Sequence, residues 1–289
     1  MCDQDDFGGF AQIRKGLTRR KFGAMALGAG LAASLPRLAN AAETQGKDVD
    51  IKTPDGTCDA WFVHPKKGKH AAVLIWPDIL GLRPAFKQMA TRLAESGYSV
   101  LVVNQFYRLK RAPTAPEHFD FNDKAALDAL MKMKDTLTPA TTQADARAFV
   151  AYLDAQHAVD SKRKIGTTGY CMGGPLVMRT AADVPDRIGA GATFHGGGLA
   201  TDQPDSPHLL IPSMKAQFLI AIAENDDQRD PAAKDKLRDA FTAAKLPAEI
   251  EVYAGTKHGW CPPDSPVYDH DQAEKAWSRM LALFGRALA

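Results

Sequence analysis

From residue 57 onward, short uninterrupted apolar runs alternate with longer stretches whose apolar residues recur every three or four positions. The first kind predicts strands buried on both faces, the second helices lying on a sheet. Strands are expected at Thr57–Val63, Ala71–Trp76, Tyr98–Val103, Ile165–Tyr170, Ile188–Phe194, Gln217–Ala223 and Glu249–Tyr253. Between them, Pro84–Ser96 carries Phe86, Met89, Ala90 and Leu93 at helical spacing and stops at Gly97. Further helices are expected at Asp123–Lys134, Thr141–His157, Gly173–Ala182, Pro231–Lys245 and Asp269–Leu288, with an irregular loop over 104–122. Strands alternating with helices argue for an α/β chain. The expected architecture is a single doubly wound, mostly parallel sheet with helices on both faces, formed by residues 42–289.

The N-terminus breaks this pattern. Arg14, Lys15, Arg19, Arg20 and Lys21 precede a weakly apolar, Ala/Gly-rich stretch from Phe22 to Leu35, and Ala39-Asn40-Ala41 follows as a small-x-small triplet. This is the three-part layout of a secretory leader. Its apolar part is short of the roughly 20 residues that cross a bilayer, so no stable membrane span is expected. Thr18-Arg19-Arg20-Lys21-Phe22 resembles the twin-arginine export motif, although Gly23 and Ala24 depart from its usual ending. The expectation is a twin-arginine-type signal peptide over 1–41, cleaved after Ala41, and a periplasmic or secreted mature protein. An uncleaved amphipathic helix is the alternative.

Charge excludes one class of partner. The net charge is +2, and the excess resides in residues 1–41, which hold six Lys/Arg and three Asp. The remainder has no basic run and no interleaving of basic with aromatic residues, so no nucleic-acid partner is expected. No Cys/His cluster has zinc-ligand spacing, so neither a metal nor another cofactor is expected. Of the four cysteines, Cys2 would leave with the leader. Cys58, Cys171 and Cys261 remain, an odd number for an oxidising compartment. A Cys58–Cys261 disulfide is one pairing open to them.

Reactive side chains follow three of the strands. Gly169-Tyr170-Cys171-Met172-Gly173 has the form G-x-nucleophile-x-G between a strand and a helix. The nucleophile on such a turn is strained, and bulk two residues to either side would collide. Cys171 would stand at a helix N-terminus that favours thiolate, with the Met172 N–H beside it as an oxyanion donor. Glu224-Asn225-Asp226-Asp227 closes another strand. Asp226 is the preferred acid to orient a histidine, Asp227 the neighbouring candidate, and Asp230 a helix cap ahead of Pro231. His258, in Gly255-Thr256-Lys257-His258-Gly259-Trp260, follows the last strand as the base. His195 also follows a strand, but it precedes the acid, against the nucleophile–acid–base order of α/β-hydrolases. It reads as pocket lining.

With these motifs the chain resembles the dienelactone hydrolase (carboxymethylenebutenolidase) family of α/β-hydrolases. The resemblance rests on Gly169–Gly174, Glu224-Asn225-Asp226 and Tyr253–Gly259, and the cysteine in the elbow is its specific feature. It implies the α/β-hydrolase fold and a Cys-Asp-His triad at Cys171, Asp226 and His258. It further implies an acidic partner for the resting thiol at Asp78, where the family has glutamate, and an oxyanion hole shared by Met172 and Ile79. Of two arginines that bind the substrate carboxylate, Arg108 matches one, while the second position is Pro262. The activity implied is hydrolysis of a small-molecule ester or lactone through an acyl-cysteine. A thioesterase or acyl transferase on the same triad is one alternative, and a non-catalytic binding protein on the scaffold is another.

Overall fold

A computed structural model describes residues 41–289. The expected leader and its arginine pair therefore lie outside the described residues, apart from Ala41. The strands are β1 (Thr44–Thr53), β2 (Gly56–Pro65), β3 (Ala72–Trp76), β4 (Ser99–Val103), β5 (Ile165–Tyr170), β6 (Ile188–Phe194), β7 (Gln217–Ala223) and β8 (Ala248–Tyr253). They form one sheet in the order β1-β2-β4-β3-β5-β6-β7-β8. β2 pairs antiparallel with β1 and β4, and every other pairing is parallel.

Among the described residues the α-helices are α1 (Pro84–Glu95), α2 (Lys124–Lys134), α3 (Pro139–Asp154), α4 (Gly173–Asp183), α5 (Glu224–Arg229), α6 (Ala233–Ala244) and α7 (His270–Ala287). β3, β4 and β5 are buried at every position, including Thr167 and Thr168 of β5. Their side chains alternate between two cores. Val73 and Ile75 pack with Phe86 and Met89 of α1 and Trp277 and Phe284 of α7. Leu74 and Trp76 pack with Leu130 of α2, Phe149 of α3, Val177 of α4 and Phe241 of α6.

This arrangement is the expected doubly wound sheet, with three differences. β1 was not anticipated: its ten residues are mostly exposed and polar, and its apolar alternation is limited to Val49 and Ile51. α5 was not anticipated either, being six residues with none buried. α6 starts at Ala233, and Asp230 is the residue that ends α5, so it caps no helix with its side chain. The Cys58–Cys261 disulfide is not formed. Both thiols are free, and they belong to different cores, Cys58 to the α2–α4 side and Cys261 to the α1/α7 side.

The topology places a crevice. The chain runs from β3 outward to β4, then crosses back to β5 on the other side of β3. Ligand sites in such sheets lie beyond the carboxyl ends of the strands at this switch point. Those ends carry Asp78–Ile79 after β3 and Cys171 after β5.

Candidate active site

Cys171 has φ +54°, a left-handed conformation that costs a non-glycine residue of order 1–3 kcal/mol. The flanking glycines make the turn feasible. A Cβ on Gly169 would strike the Gly173 backbone, and one on Gly173 would strike the carbonyl oxygens of Trp76 and Pro77. The second contact also shows that the segment after β3 lies against the start of α4. Helices α2, α3 and α7 are capped by the side chains of Asp123, Thr138 and Asp269, but α4 has no side-chain cap. Neither the Met172 nor the Ile79 amide N–H donates a hydrogen bond within the described residues. Two donors are thus held on backbone that converges on the elbow, the arrangement an oxyanion hole needs.

His258 and Asp226 meet across the ends of β8 and β7. His258 Nδ1 lies 2.9 Å from Asp226 Oδ2, and His258 is 97% buried by side chain. Each residue of Glu224-Asn225-Asp226 holds a different point of the histidine loop. Glu224 Oε2 accepts from the Gly255 N–H at 2.9 Å, and Asn225 Oδ1 accepts from the His258 N–H at 2.7 Å. Asp227 is turned away and pairs with Lys234 at 2.6 Å. The geometry therefore separates the two neighbouring acids and assigns the histidine contact to Asp226.

His195 is not pocket lining. It is 1% exposed and sits between the elbow and the base. Its Nδ1 accepts from the Cys171 N–H at 3.1 Å, and its ring meets those of His258 and Trp260 at centroid distances of 5.1 and 5.2 Å. Burial, and then the neighbouring His258, push it well below the usual histidine range.

Two further residues have roles other than those expected. Asp78 takes the Arg83 guanidinium on both oxygens, at 2.6 and 2.9 Å, and Oδ1 also accepts from the Leu80 N–H. Arg83 grips Asp264 as well, at 2.6 and 3.0 Å, which ties the segment after β3 to the segment after His258. Asp78 is thus a loop anchor whose carboxylate is committed to arginine. Arg108 is likewise committed. It forks the fully buried Asp145 at 2.8 Å through both terminal nitrogens and reaches Asp55 at 2.6 Å. A guanidinium held in this way is not offered to a substrate carboxylate. Arg108→Met is expected to destabilise the fold by about 3 kcal/mol or more, because it leaves a buried carboxylate uncompensated. Urea unfolding checks this, and a variant as stable as wild type would return Arg108 to the substrate.

A cavity of about 90 Å³ opens beside the elbow, lined by Met172, Pro175, Leu176 and Arg179 along one face of α4, with Leu137 and Lys134 opposite. Arg179 is 93% buried, and its Nη2 makes only long contacts with Asp205, at 3.2 and 3.4 Å. Among the described residues no group of three His, Cys, Asp or Glu side chains is placed to hold a metal ion.

Known proteins share this fold. A family model described as the dienelactone hydrolase family matches residues 58–288. The chain is 27% identical over 244 residues to the carboxymethylenebutenolidase of Rhodococcus opacus, covering 82% of this chain and 90% of that protein. It shares its fold with a dienelactone-hydrolase-like promiscuous phosphotriesterase from metagenomic libraries, with TM-score 0.70, 22% identity, and 85% and 99% of the two chains covered. A dienelactone hydrolase from Anabaena variabilis superposes with TM-score 0.60 and 14% identity, over 85% of this chain and 99% of that one.

Proposed function

This chain belongs to the dienelactone hydrolase family, and we propose that it hydrolyses a small ester or lactone through Cys171, His258 and Asp226. The observation that carries this reading is the 2.9 Å Asp226–His258 pair beside a cysteine at φ +54° on an uncapped helix. With Nδ1 facing Asp226, Nε2 is the ring nitrogen left for the thiol proton. The thiolate attacks the carbonyl carbon, and the amides of Met172 and Ile79 receive the oxyanion. The Cys171 N–H does not join them, because Phe194 O and His195 Nδ1 already accept it. Collapse breaks the bond to the leaving oxygen, which takes the proton from His258. The same histidine then removes a proton from water, hydroxide attacks the thioester, and the cysteine leaves.

The cavity along α4 would receive the acyl portion. Its largely buried Arg179 favours an acyl chain that ends in a carboxylate. The test is steady-state hydrolysis of two substrates, a dienelactone carrying a carboxylate and a neutral aryl ester. Preference for the dienelactone supports the anionic reading. Preference for the neutral ester leaves an esterase of other specificity, and turnover of neither overturns the hydrolase proposal.

We further propose export by the twin-arginine route, on the strength of Arg19-Arg20 and the Ala39-Asn40-Ala41 triplet. Replacing both arginines with lysine should retain the uncleaved chain in the cytoplasm, as read by cell fractionation. Unchanged export of that variant would remove this proposal.

A further inference from the structure

Two adjacent parallel strands, β5 and β6, end on non-glycine residues with left-handed backbone: Cys171 at φ +54° and His195 at φ +42°. Strain of this kind persists only where surrounding contacts over-determine it, and it gathers at functional sites. The two residues are joined to each other. The Cys171 N–H is shared between Phe194 O at 3.0 Å and His195 Nδ1 at 3.1 Å, while the His195 N–H donates to Ala221 O of β7 at 2.8 Å. A backbone N–H can only donate, so Nδ1 is the acceptor and the ring hydrogen of neutral His195 resides on Nε2. The same ring meets His258 edge-to-face at 5.1 Å and Trp260, two residues later on the same loop, at 5.2 Å. One buried side chain therefore touches the backbone of the nucleophile and the ring of the base, which no other contact described above does. Its fixed tautomer follows from geometry, and the burial that keeps it uncharged prevents it from competing with His258 for the thiol proton.

We propose that His195 is a positioning residue for the reaction: its Nδ1 lone pair fixes the Cys171 amide beside the His258 ring, so that the thiol holds one alignment to the base during proton transfer. This rests on the hydrolase reading above. A misplacement of about 1 Å at a reacting pair can cost on the order of 100-fold in rate, so the effect falls on kcat.

Asparagine and glutamine separate this role from simple packing. Asparagine places Oδ1 as many bonds from the backbone as Nδ1, and it tolerates positive φ. Glutamine puts its polar atoms one bond further out. His195→Asn is expected to keep kcat within about fivefold of wild type, whereas His195→Gln should lose on the order of 10- to 100-fold with KM little changed. Alkylation of Cys171 at pH 7 should slow in the same order, which reads the thiol without any substrate. Equal kcat losses for the two variants, or a loss confined to KM, would overturn the proposal. Cys171→Ala run alongside distinguishes the two failures. If it keeps turnover, the Cys171 assignment falls and the role of His195 with it. If it is inactive while His195→Gln retains wild-type kcat, only the positioning role falls.

Discussion

Cys171→Ala is expected to lower kcat by at least about 10⁴-fold while leaving a folded protein, because in the proposed mechanism it removes the atom that forms the acyl bond. The rest of the machinery survives the substitution. The proposed oxyanion donors are backbone amides of Met172 and Ile79, and the Asp226–His258 pair is untouched at 2.9 Å. What remains without a nucleophile is the modest acceleration that an oxyanion hole and substrate binding supply alone. The structural cost is small. Cys171 is 3% exposed and contributes one sulfur to the core, so loss of about 1 kcal/mol is expected. Alanine at φ +54° carries the same backbone strain that cysteine does. Steady-state rates with a chromogenic ester, thermal unfolding, and intact mass after mixing with substrate check the three parts. Wild type should accumulate or pass through a mass increase on cysteine, and the alanine variant should show none. An alanine variant that turns over at wild-type rate would move the nucleophile elsewhere in the chain.

How much of this site could be read beforehand depended on the distance over which each role is encoded. The elbow was legible because its glycine-flanked form is local, although the clash that requires Gly173 comes from the segment after β3. Gly169 and Gly173 are required by backbone contacts within four residues and by the abutting segment after β3. The Asp226–His258 contact was legible because each residue follows a strand and the chain order is that of the fold. Asp78 and Arg108 were misread because their roles depend on partners that the pattern does not mark. Arg83 joins Asp78 to Asp264, 181 residues away, and Arg108 is spent on Asp145 from α3. His195 was misread for a related reason. Its contact with Cys171 exists only because β5 and β6 pair in the register Tyr170 to Phe194, which sets the next residues of both strands side by side. β1 escaped because only Val49 and Ile51 of its ten residues are apolar, too few to mark a strand, and its charges suit an unpaired edge.

The second large effect is expected at the acid, and Arg229 decides its size. Asp226 uses both oxygens: Oδ2 faces His258 Nδ1 at 2.9 Å, and Oδ1 accepts from Arg229 Nη2 at 2.9 Å. Asparagine has one acceptor to offer. The charge-assisted bond to arginine is the stronger claim, so in Asp226→Asn the carbonyl oxygen turns to Arg229 and the NH2 group turns to His258. Nδ1 must then accept, which places the ring hydrogen on Nε2, the nitrogen that has to receive the thiol proton. The wrong tautomer is expected to lower kcat on the order of 10²- to 10⁴-fold, with little change in KM. Asp227→Asn should stay within about threefold of wild type, since Asp227 engages Lys234 and not the histidine. Arg229→Ala in the Asp226→Asn background frees the amide to present its oxygen to Nδ1, so it should restore at least about tenfold of the lost kcat. A double variant no faster than Asp226→Asn would mean that the carboxylate acts through its charge on the imidazolium rather than by fixing the tautomer. Rates of the four proteins at one pH decide between those two accounts of the same carboxylate.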